Sequence, residues 1–162
     1  MTITITKRWS PTVVFTSETA KTKGEAIKEA LAQKINLSGS NLSGSDLSGS
    51  DLQPIRDDIW AVLSSAPAEV EGLRLALIEG RVNGSTYTGE CACLVGTIAN
   101  VRGCGIEKLP LLRQNSRRPA ERFFLGIAKG DTPSNNPVSK MVLEWVDQWL
   151  ENMKSAFSVV RP

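Results

Sequence analysis

The sequence predicts an α+β protein: an N-terminal β-hairpin and helix, a single coil of five-residue repeats, then a helical bundle. Three patterns predict it. Thr and Ile alternate over the first residues, which is the two-residue period of a strand. Between Ile35 and Pro54 a five-residue period runs for four cycles. From Ile55 onward the apolar residues return at three-or-four spacing, the signature of amphipathic helices. The whole reads as a single domain over 1–162, with subregions 1–34, 35–54 and 55–162.

The strands fall at Thr2–Thr6 and Thr12–Thr16, with Ser10-Pro11 as the turn between them. Thr22 is placed to cap a helix over Lys23–Lys34, whose Ala26, Ile27, Ala30 and Leu31 form one stripe. The repeat then reads INLSG SNLSG SDLSG SDLQP, with Leu37, Leu42, Leu47 and Leu52 at one position. Asn36, Asn41, Asp46 and Asp51 precede the leucines, and Gly39, Gly44 and Gly49 close the units. Neither a helix nor a strand keeps a five-residue pattern on one face. A chain that turns a corner every five residues does, and Gly, Ser, Asn and Asp supply the turn chemistry. The alternative is a flexible Gly/Ser linker, for which leucine at every fifth place has no use.

These units resemble the A(D/N)Lxx motif of the pentapeptide-repeat family, with serine where alanine is usual. The resemblance implies a right-handed quadrilateral β-helix of four units per coil, so residues 35–54 amount to one coil. Together with the Ile/Thr strand leading to Trp9, Val13-Val14-Phe15, and the later GECACLVGTIANVRGC, the arrangement resembles small pentapeptide-repeat proteins of unknown function encoded by phages and prophages. A lone coil has both edges open. The hairpin is expected to border the first edge, and otherwise a second copy must cover what is left.

After the coil, Asp57 and Asp58 favour a helix start, with Ile55, Ile59, Trp60 and Leu63 on one face. Ser65-Ala66-Pro67 opens a second helix that carries Val70, Leu73, Leu77 and Ile78 and stops at Gly80. Arg81–Glu90 reads as a loop, and Cys91–Arg102 as a buried helix ending at Gly103. Pro119 starts a helix bearing Phe123, Phe124 and Ile127 that closes at Gly130. Asn136-Pro137 is a cap-plus-first-turn signal for the last helix, where Met141, Val142, Trp145, Trp149, Met153 and Phe157 keep helical spacing. About five helices therefore follow the coil.

Composition narrows the chemistry. The chain has no histidine, which excludes Ser-His-Asp and Cys-His nucleophiles, a histidine base and every histidine-containing metal site. A net charge of +2 is too small to imply nucleic-acid binding and has the wrong sign for imitation of DNA. The N-terminal residues lack the apolar run of a signal peptide, and no stretch reaches the roughly 20 apolar residues of a membrane span. Three cysteines, Cys91, Cys93 and Cys104, then read as reduced thiols in a cytoplasm.

Four features invite a functional reading beside a plainer one. C-x-C-x10-C could hold zinc with Glu90, but the spacing lacks a second pair, and on a helix Cys91 and Cys93 diverge by about 200°. Core packing is the preferred reading. Gly80–Thr86 superficially looks like a phosphate loop, yet it lacks the lysine and follows a helix, so it reads as a surface loop. Arg113, Arg117, Arg118 and Arg122 could bind phosphates or an acidic partner, or form a solvated face paired within the chain. Asp46, Asp51, Asp57 and Asp58 make a locally acidic strip. The resemblance implies that such a strip can face a nucleic-acid-binding protein; the alternative is a set of solvated turn residues. Trp145 and Trp149, four apart, read as core rather than as an exposed binding anchor.

The resulting expectation is a non-enzymatic phage accessory protein that binds, and inhibits, a host or host-defence macromolecule, with no cofactor and no metal. A host protein is the expected partner; nucleic acid is weakly supported and a membrane is not expected. Two alternatives stay open: a homodimer or scaffold assembled through the repeat coil, and a histidine-free enzyme using a cysteine or a metal.

Overall fold

The chain is described from a computed structural model over residues 1–37, 40–41 and 52–158. It is a mixed α and β structure with a small two-stranded sheet. Strand β1 (Ile3–Thr6) pairs antiparallel with β2 (Val13–Ser17), with Ile3 opposite Ser17 and a bulge after Ile5. The bulge lets Thr6 meet Val13, and Lys7 N–H then donates to Thr12 O at 2.9 Å to close the hairpin. Ile5 turns inward and is fully buried, whereas Trp9 at the hairpin tip is exposed.

Helix α1 (Lys23–Ala32) begins where Thr22 accepts a hydrogen bond from Glu25 N–H, the cap expected from sequence. It packs on both strands through Ala26, Ile27 and Ala30. Glu29 fastens the pair: Ser17 Oγ and Thr19 Oγ1 donate to its two oxygens at 2.5 and 2.6 Å. Those bonds, the one from Ser17 foremost, hold its carboxyl below the ordinary glutamate range. The helix stops two residues before the expected Lys34 because Lys34 adopts a left-handed backbone, φ 61°, and Ile35 N–H turns back to Ala30 O at 2.8 Å.

Most of the expected repeat coil, residues 38–39 and 42–51, lies outside the described residues, and those described form no β-helix coil. Leu37 and Leu52, two of the four repeat leucines, are buried. The hairpin does border the segment: Lys7 bridges to Ser40, and Asn41 N–H donates to Thr6 O at 2.8 Å. The last unit is shorter than expected. Gln53 and Pro54 already belong to helix α2 (Gln53–Ser65), so the helix opens with its proline in the first turn and not at Asp57. Proline has no N–H to lose there, which makes it the better start signal of the two.

The remaining chain forms the expected helical bundle. A 3-10 turn at Pro67–Glu69 leads into α3 (Val70–Ile78), and α4 covers Leu94–Arg102. Helix α5 is Pro119–Phe124, and α6 is Pro137–Ser158. Two boundaries depart from the sequence reading. The α4 helix starts three residues late, because Ala92 is held in a bridge to Val82 and Cys93 N–H donates to Thr86 O. It ends as expected at Gly103, at φ 72°, a conformation that glycine adopts without strain. The α5 helix ends at Phe124 rather than running to Gly130, since Leu125, Gly126 and Ile127 N–H groups all tighten to the third residue back.

Helix α3 packs on α4 and α6, and α2 on α5 and α6. Trp145 and Trp149 are in the core at 6% and 5% exposure, which settles them as packing residues. Their placement is specific: Phe123 meets Trp145 with ring centroids 5.3 Å apart, and Trp149 Nε1 donates to Ser64 Oγ. Asn136 caps α6 through Val138 and Ser139 N–H groups at 2.8 and 2.9 Å. It also donates to Asp131, whose carboxylate takes both terminal nitrogens of Arg8 at 2.6 and 2.9 Å. This clasp joins the hairpin to the loop that precedes α6.

Candidate functional site

The bundle, α1 and the end of the repeat segment meet at a groove of about 540 Å³. Its floor is apolar: Leu31 and Ala32 from α1, buried Leu52, and Pro54 and Ile55 from the first turn of α2. Its rim is cationic: Lys28 and Lys34 on one side, Arg117 and Arg122 on the other. Among the described residues, none of the four makes an ion pair or a side-chain hydrogen bond, and no carboxylate lines the groove. Lys34 reaches the rim from its left-handed turn, where glycine would cost about 1 kcal/mol less.

The α5 end of the rim is held from a distance. Arg118 precedes α5 and offers no side-chain cap of its own. Asp58 of α2 supplies one, accepting from Ala120 N–H at 2.9 Å and from Arg118 Nε at 2.9 and 3.1 Å. A carboxylate at this place satisfies a free helix-end donor and is neutralised by the guanidinium beside it. The brace ties the start of α5, between Arg117 and Arg122, to α2.

The eight residues singled out in the sequence therefore divide. Arg117 and Arg122 share the groove rim. Arg118 and Asp58 are paired with each other in the brace. Asp57 is exposed and pairs with its neighbour Arg56, and Arg113 donates to Leu109 O at 3.2 Å. Asp46 and Asp51 lie outside the described residues. Lys28 and Lys34 escaped sequence reasoning, because helical spacing places them off the apolar stripe of the expected Lys23–Lys34 helix; the left-handed turn at Lys34 had no signal.

Next to the groove, and sharing Arg117 and Arg122 with it, lies a more polar cavity of about 410 Å³. Tyr87, Ser85, Ser116 and Glu121 face it. Tyr87 Oη donates to Glu121 Oε2, and Asn115 N–H donates to Oε1 at 3.3 Å. Burial, aided by the bond to Glu121, pushes the Tyr87 phenol well above its ordinary value, so it stays a donor. The Gly80–Thr86 segment is the loop expected, but only Ser85 and Thr86 are exposed, and Val82 is buried where it bridges to Ala92. Its amides are spent internally: Gly84 N–H on Ile127 O, Ser85 N–H on Asn83 Oδ1. Gly84 sits against α5 so closely that a Cβ would fall 1.7 Å from Phe124 O.

The thiols do not form a centre. Burial pushes Cys93 up to about 11, so it is a protonated thiol at neutral pH. Cys91 and Cys104 are half-buried, and no group of three or more Cys, Asp or Glu gathers as a metal site among the described residues. No helix among the described residues is long and apolar enough to cross a membrane.

Comparison with known proteins gives one match. The family described as "Pentapeptide repeats (8 copies)" matches residues 28–53, which begins inside α1 and runs to the first residue of α2. No curated protein and no solved structure is significantly similar to the chain. The match and the five-residue period over Ile35–Pro54 agree: this chain contains pentapeptide repeats.

Proposed function

We propose that the protein acts by binding rather than by catalysis, and that the basic-rimmed groove is its contact surface. One observation carries this reading: among the described residues, four cations without partners surround an apolar floor that no carboxylate lines. Leaving cations unpaired around an apolar slot suits an incoming segment that brings both carboxylates and an apolar anchor. The partner in this reading is a protein presenting an acidic, leucine- or phenylalanine-bearing segment. Pentapeptide-repeat proteins are in general structural or binding proteins, which supports the same class. If the resemblance to phage-encoded repeat proteins holds, that partner is a host or host-defence factor, and occupation of its acidic segment is how it is inhibited.

The experiment is an affinity capture from nuclease-treated bacterial lysate, run in parallel with the Lys28→Glu, Lys34→Glu double variant. A stoichiometric protein captured by the wild type and lost from the variant supports the reading. Capture that both forms share, or that nuclease abolishes, contradicts it.

A further inference from the structure

The polar cavity beside the groove has a chemistry that capture of a protein segment does not use. Glu121 is only 4% exposed, yet no cation lies within ion-pair distance of it among the described residues. Among the described residues its charge is met by Tyr87 Oη and Asn115 N–H alone, one donor to each oxygen, which leaves further lone pairs on a side chain that lines the cavity. A buried carboxylate without a cation is costly, and it gains from any donor that enters. Arg117 and Arg122 line the same cavity, and their guanidinium groups have no partner among the described residues. Acceptor and donors thus face one space of about 410 Å³, within the size range of small-molecule sites.

A ligand that satisfies both walls carries an anion for the arginines and hydroxyl donors for Glu121. A simple anion satisfies only one wall and is repelled by the carboxylate. A sugar phosphate meets both: its phosphate can take planar, bidentate donors from arginine, and vicinal hydroxyls are what a carboxylate binds on a ribose. The apolar groove beyond the arginines then has room for an attached base. We propose that this cavity is a binding site for a nucleotide, with Arg117 and Arg122 on the phosphate and Glu121 on the sugar hydroxyls. Tyr87 orients the carboxylate, and the Ser85 hydroxyl lies on the same wall. No bond is made or broken in the bound ligand. The site shares two arginines with the proposed contact surface but does not depend on that surface having a protein partner.

Calorimetric titration with AMP, ribose 5-phosphate, adenosine and inorganic phosphate tests this. AMP and ribose 5-phosphate are expected to bind one to one, with inorganic phosphate and adenosine each at least tenfold weaker. Glu121→Gln should weaken AMP about tenfold, the scale of one lost hydrogen bond to a charged group, and strengthen inorganic phosphate by relieving its repulsion. Because Glu121 also braces Tyr87 and Asn115, Arg122→Met serves as a second variant on a half-exposed side chain and should weaken AMP and phosphate alike. Lys28→Glu with Lys34→Glu removes the outer rim only, so it should abolish protein capture while AMP still binds. Absence of saturable binding up to about 5 mM AMP overturns the proposal. So does AMP binding that neither Glu121→Gln nor Arg122→Met reduces, or inorganic phosphate binding as tightly as AMP.

Discussion

Replacing Asp58 by alanine should unfold the α5 end of the protein more readily while leaving every other element in place. The structure gives the size. The substitution removes the acceptor for Ala120 N–H, a helix cap whose loss costs about 1 kcal/mol. It also removes the charge-assisted bonds from Arg118 Nε, in the class worth about 1.5–3 kcal/mol. Arg118 is a quarter exposed and regains water when released, so the lower end of that range applies and the two losses overlap. The expected destabilisation is about 2–3 kcal/mol, a fall in melting temperature of about 5–10 °C for a chain of this length. Asp58→Asn keeps an acceptor for Ala120 and should lose about half as much. Urea unfolding of wild type, Asp58→Ala, Arg118→Met and the double variant measures the coupling between the two side chains. A change below about 0.5 kcal/mol for Asp58→Ala would refute the brace and return Asp58 to the exposed acidic strip suggested by the sequence.

Three further outcomes follow from the same geometry. Asn136→Ala removes two cap bonds to α6 and one donor to buried Asp131, and should cost about 2–4 kcal/mol in urea unfolding. Arg102, chiefly through its hydrogen bonds and also by its charge, holds the Glu69 carboxyl below the ordinary glutamate range. The contribution of Glu69 is therefore complete above about pH 4.3, the unfolded value, and is lost as pH falls through its lower folded value. Stability measured against pH should show a shallower acid fall in Glu69→Gln than in wild type. Finally, Cys93 should resist a thiol reagent at neutral pH until the protein unfolds, whereas Cys91 and Cys104 react first; equal rates at all three would contradict its burial.

What was legible in the sequence was what local chemistry writes. Thr22 and Asn136 are caps wherever the chain goes, because each bonds an amide two or three residues ahead. The hairpin, the five helices of the bundle and the burial of Trp145 and Trp149 follow from period alone. The boundaries that moved were those where a tertiary contact competed with the local signal. Ala92 is drawn into a bridge with Val82, which shortens α4, and Pro54 overrides the aspartates as the start of α2. The site was half legible. Arg117 and Arg122 stood out as a charge cluster, but a cluster of four does not say that Arg118 is spent on a carboxylate sixty residues away. Glu121 carries no signal in the sequence beyond being an acid in the first turn of α5. Its meeting with Tyr87, thirty-four residues off, depends on Gly84 allowing that loop to lie against α5.

The central claim is that the groove between α1 and α5 receives an acidic segment with an apolar anchor. Fluorescence anisotropy of a labelled peptide of alternating glutamate and leucine tests it most directly, titrated with wild type and with the Lys28→Glu, Lys34→Glu double variant. The account predicts saturable binding that weakens as salt is raised and disappears in the variant, with no binding of the lysine-leucine counterpart. Equal binding by both forms of the protein, or none by the wild type, would contradict it.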